Sequence, residues 1–143
     1  MNIKRLVLAF LAVFVFIFAF ERVFHGILLK DAYAQTMSLW RPENEMMGYF
    51  HWLVLGQAII ALAFVFLFAQ GFTGSGVAGG VALGIIVAVL RVGLNLITYA
   101  VQPLSVKIVV SWSIGGFLEA AVAGAIAGAI YKQTQAPAPR AAL

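Results

Sequence analysis

The sequence predicts an all-α integral membrane protein, a four-transmembrane-helix antiparallel bundle. Three observations carry this reading. Of 143 residues, 64% are apolar and only 10% charged, whereas a soluble domain needs roughly a quarter charged to keep its surface in water. The mean hydropathy is +1.04. Four apolar runs, about 6–29, 48–69, 77–101 and 108–131, each reach the ~30 Å of a hydrocarbon core at ~1.5 Å per residue. Lipid offers backbone groups no hydrogen-bond partner, and none of the runs alternates as barrel strands do, so helices are the solution.

The first run, Leu6 to Leu29, follows Lys4 and Arg5 and precedes the small-residue stretch Ala32-Tyr33-Ala34. A cleaved signal would look similar at both ends. Glu21, Arg22, His25, Lys30 and Asp31 intervene, too many charges over too long a gap, so the segment is read as a retained helix. From Lys30 to Met47 the chain carries Asp31, Trp40, Arg41, Pro42, Glu43, Asn44 and Glu45, the mixture of an interfacial stretch. QGFTGSG and QPLSVK are tight turns, which makes the second, third and fourth helices antiparallel neighbours. Residues 1–131 form the transmembrane domain. Residues 132–143, rich in Ala, Pro and Gln without apolar period, read as a disordered cytoplasmic tail.

Bases near the helix ends favour both termini in the cytoplasm: Lys4, Arg5, Lys132 and Arg140 outnumber Lys30, Arg41 and Lys107. Trp40, Tyr49, Trp52, Tyr99 and Trp112 gather at the opposite end as an interfacial belt.

Polar residues that interrupt the runs mark the candidate site, because an ionised group at mid-bilayer costs at least ~2.5 kcal/mol. Counted from the cytoplasmic ends, Glu21, Gln57, Arg91 and Glu119 lie at a common depth of about 18–22 Å. His25, His51 and Asn95 form a second layer at about 27–29 Å. With Arg22, whose long side chain can snorkel, they make up the predicted intramembrane polar cluster. Gly76, Gly80, Gly84 and Ala88 repeat every four residues on the third helix, and Gly116, Ala120, Gly124 and Gly128 do so on the fourth. Such ridges let two helix backbones approach closely. Arg91 and Glu119 each follow a ridge position by three residues, which turns both toward the facing helix and predicts an ion pair.

Several function classes fall away. With no cysteine there is no disulfide, thiolate metal site or cysteine nucleophile. The net charge of +4 comes from scattered bases, so no stripe exists for nucleic acid. His25 and His51 lack metal-ligand spacing, GFTGSGVAGG lacks the ending of a phosphate loop, and Ser111 and Ser113 have no matched base. The chain is read as non-enzymatic, without metal or cofactor.

The interrupted end of the first helix (ERVFHGILLKDAY), the Pro-containing turn QPLSVK and the closing GGFLEAAVAGAIAGAIY resemble small four-helix bacterial membrane proteins known only as a domain of unknown function. Where those proteins carry an aromatic-Gly-Pro stretch after the first helix, this chain has HGILLKDAY. The resemblance implies fold and a bacterial cytoplasmic (inner) membrane location, and no activity. Expected partners are membrane lipid and either further copies of the chain or a larger membrane complex. The leading functional expectation is an accessory or assembly subunit, or a homo-oligomeric bundle, whose polar core sets helix register. The alternatives are a small ion channel or proton-coupled transporter that uses the Glu/Arg cluster, and a cofactor- or lipid-binding membrane protein.

Overall fold

The computed structural model describes residues 1–131, so the predicted tail lies outside the described residues. The described residues are almost wholly helical: α1 Ile3–Val23, α2 Lys30–Ala34, α3 Glu43–Gly71, α4 Gly76–Val101 and α5 Val106–Ile130. Four helical spans are long and apolar enough to cross a membrane: Ile3–Leu28, Glu43–Gly71, Gly76–Val101 and Val106–Ile130.

Local chemistry explains the ends. The Asn2 side chain accepts from the Arg5 amide and caps α1, and Ser105 caps α5 through the Ile108 amide. α3 starts at Glu43, well before the apolar run, because Pro42 directly precedes it and Glu43 and Glu45 suit the positive end of a helix dipole. The turn into α4 places Gly76 at φ +52°, a left-handed backbone that glycine adopts without penalty. α1 ends in a π-helical segment, Phe24–Leu28, where the Leu29 amide donates to the Phe24 carbonyl at 3.0 Å. The predicted interfacial stretch after it folds as α2, a 3₁₀ turn at Met37–Leu39 and the first turn of α3.

The dominant packing is α4 against α5, followed by α1 against α3 and α1 against α5. α4 and α5 form an antiparallel hairpin joined at the backbone. A Cβ added to Gly80 would overlap the Gly124 carbonyl, and one on Gly124 would overlap that of Gly80. Gly84 meets Ala120 and Gly128 meets Gly76 in the same way, which puts both small-residue ridges in one seam. α1 lies between α3 and this hairpin.

One expectation needs correcting. The short turn after α3 implied that α3 and α4 are packed neighbours, yet they touch little. α3 instead spends its buried face, Ala61, Phe64, Val65 and Phe68, in the core that it shares with Ala9, Val13 and Ile17 of α1. α4 in turn spends its small-residue face on α5.

The ends of the bundle are tied differently. At one end the Asn2 amide donates to the Tyr131 hydroxyl at 3.1 Å, and the Tyr131 ring meets Phe68 edge-on. At the other, Trp40 and Trp112 pack together beside Tyr33. The outer surface is apolar around all four long helices, with side chains such as Leu8, Val15, Ile59, Leu90, Leu94 and Ile114 exposed.

Candidate functional site

Three helices contribute one stripe each at four-residue spacing, and each stripe changes character midway. On α1 the buried Ala9, Val13 and Ile17 are followed by Glu21 and His25. On α4, Leu83 and Val87 are followed by Arg91 and Asn95. On α5 the stripe runs from Tyr131 through Ala127 and Ala123 to Glu119. Four residues advance about 40° more than one helical turn, so each stripe winds slowly round its helix as it crosses its neighbours. The apolar halves make one core. The polar halves make the site.

Arg91 joins the three helices. Its Nη1 donates to Glu119 Oε2, and its Nη2 lies 3.5 Å from Glu21 Oε1. The other oxygen of Glu21 is 2.9 Å from His25 Nε2. The guanidinium rests against Gly116. Glu119 is the innermost member, and its Oε1 has no partner. Side-chain exposure rises from 3% at Glu119 to 22% at Glu21 and 33% at His25, with Arg91 at 37%. These groups enclose a cavity of about 120 Å³, further lined by Phe20, Phe24, Trp112 and Gly115.

The network continues beyond the ions. His25 Nδ1 hydrogen-bonds the Tyr33 hydroxyl, which also accepts from Trp112 Nε1 at 2.7 Å. With a neutral imidazole every atom in this run has one role. Trp112 N–H donates to the Tyr33 oxygen, Tyr33 O–H donates to His25 Nδ1, and His25 Nε2–H donates to Glu21. Tyr33 lies outside the long helices, and burial, aided by the nearby Glu21 charge, pushes its hydroxyl up to about 12 despite the Trp112 hydrogen bond. It therefore keeps its proton and remains a donor at ordinary pH.

The remaining predicted residues fall into three groups. Asn95 lines the same cavity and donates to Ser113 Oγ at 3.5 Å. Gln57 is buried on α3 with its Oε1 unpartnered, and it does not line the cavity. Phe50 packs against Phe18, which in antiparallel helices sets Gln57 roughly 15 Å nearer the Asn2 end than Glu21. Counting from segment ends had placed the two at one depth, because it cannot see how far α3 slides along α1. Arg22 is exposed on the outer side of α1, and His51 is exposed on α3 against the Trp52 ring. Neither joins the cluster.

Sequence reasoning missed Tyr33 as a partner, Trp112 as a cavity wall, and the stacking of Phe24 on Gly115, where a Cβ would run into the ring. Trp112, Gly115 and Glu119 repeat at three and four residues, a signal that they share one face of α5. The π-helical segment leaves no comparable pattern. Among the described residues no three or more His, Asp or Glu gather in a set that would hold a metal ion. Two carboxylates meet one guanidinium here, one negative charge more than Arg91 balances. No family model, curated protein or solved structure matches this chain.

Proposed function

We propose that the chain is a multi-pass protein of the bacterial cytoplasmic membrane that translocates protons through its Glu21–Arg91–Glu119 cluster. Membrane insertion is supported by an inverted distribution of side chains, with Leu, Ile and Val exposed around the helices and ionised groups inside. The competing reading gives the charges only the task of setting helix register. One observation favours transport: the register of α4 on α5 is already imposed by backbone contact at Gly80–Gly124, Gly84–Ala120 and Gly76–Gly128. An ion pair added there would be redundant for register and costly to desolvate. Its second carboxylate, unpaired oxygen and polar cavity fit a group that takes up and releases a proton.

The test is proton flux in liposomes. Vesicles containing the purified protein and a pH-sensitive dye should dissipate an imposed pH gradient faster than empty vesicles. Glu119→Gln should return the rate to background without changing expression, and His51→Ala, outside the cluster, should leave it intact. Gradients that persist as long as in empty vesicles would overturn the proposal.

A further inference from the structure

The geometry points to access from one side only: we infer that the Glu21–Glu119 carboxyl pair exchanges protons through Tyr33 and His25, at the end of the bundle that carries Trp40 and Trp112, and is sealed toward the Asn2 end. This rests on the proposed proton function and adds its route and direction.

Three observations carry it. The first is the stripe pattern: α1, α4 and α5 all turn polar at the same level and toward the same end. The second is the unbroken hydrogen-bonded run from Glu21 through His25 to Tyr33, along which exposure rises from 22% at Glu21 to 33% at His25. The third is the opposite half, where Val13, Ile17, Val65, Phe68, Leu83, Ala123 and Ala127 close the interior. Gln57 is the buried polar side chain on that side among the described residues, and an amide carries no exchangeable acid proton near neutral pH.

The groups facing the carboxyl pair come from every helix around it: His25 from the π-helical end of α1, Tyr33 from α2, Arg91 and Asn95 from α4, and Trp112 from α5. Arg91 stays protonated throughout and holds the two carboxylates together. Inward transfer then balances without any other reactant. Hydronium at the Tyr33 end gives a proton to the phenol oxygen, whose own proton passes to His25 Nδ1. The His25 Nε2 proton passes to the Glu21 carboxylate, and the carboxyl group formed shares that proton with Glu119. Water is left outside, the imidazole has changed tautomer, and the cluster has become neutral. Rotation of the imidazole, or reverse transfer, resets it. In this conformation the apolar half blocks the exit.

The experiment follows carboxyl protonation by its infrared C=O band in vesicles of uniform orientation. Orientation is set by labelling Ser38→Cys, which is simple in a chain without cysteine. A pH jump on the Ser38 side should protonate a Glu119-dependent carboxyl group rapidly, and the same jump on the other side should not. Tyr33→Phe should slow protonation about a hundredfold, the low end of what a positioned proton-transfer group contributes, without changing the final extent. If Tyr33→Phe does not fold, Trp112→Phe, which removes the donor that orients the phenol, should slow it in the same sense. Equal rates from both sides, or an unchanged rate in the variant that folds, would overturn the inference and leave proton flux standing. Absence of both flux and any Glu119-dependent carboxyl band would overturn the proton function itself.

Discussion

At the scale of single residues, the site depends on one guanidinium serving two carboxylates. Arg91→Met removes the positive charge paired with Glu119 among the described residues and should destabilise the fold by about 3 kcal/mol, the cost of leaving a buried charge uncompensated. Arg91→Met combined with Glu119→Leu should regain more than half of that loss while proton flux stays absent. Thermal unfolding in detergent, followed by tryptophan fluorescence, checks both. Tyr33 gives a pH signature. Its folded-state ionisation near 12 lies above the unfolded value of 10.0, so the folded chain binds this proton more tightly. The associated stability is complete below pH 10 and is lost as pH rises toward 12. A difference titration at the tyrosinate band, wild type minus Tyr33→Phe, should show one ionisation centred near 12. The Arg91–Glu119 pairing was readable from the sequence, since each residue stands three positions past a small-residue ridge. Tyr33 was not, because its contact with His25 depends on how the chain bends between them.

Between helices, the decisive contact is the α4–α5 seam. Gly80→Ala or Gly124→Ala inserts a methyl group where the partner backbone already stands, and each should destabilise the hairpin by about 1–3 kcal/mol. Gly93→Ala, on α4 with open space around it, should be neutral or slightly stabilising. Gly116→Ala places its methyl at ordinary contact distance from the guanidinium and should be tolerated. Melting temperatures of the four variants would rank these effects. Both ridges were legible as small residues repeating every four positions. The neighbour order was not, because a short turn limits how far apart two helix ends sit without making the helices pack. Phe64, Val65 and Phe68 carried no label that assigned them to α1. The π-helical end of α1 was equally silent: a change of hydrogen-bond register leaves hydropathy untouched, and Gly26 alone does not announce it.

For the molecule as a whole, composition and run length were enough to give an all-helical chain with four long apolar helices. They could not say that α3 and α4 touch little across their short turn while α1 packs on both α3 and α5. α1 and α3 share a core to which Leu83, Ala123 and Ala127 of the hairpin also belong, while α4 and α5 are zipped backbone to backbone. The 3₁₀ turn at Thr73–Ser75 thus links two helices that each pack mainly on another partner. A gene split at Gly74, expressed as two polypeptides, should yield fragments that insert separately and reassociate. Glu21 would arrive on one fragment, and Arg91 with Glu119 on the other, so recovered proton flux would itself report complementation. Because backbone overlap makes the seam intolerant of added methyl groups, the second fragment should already be hairpin-shaped before its partner reaches it.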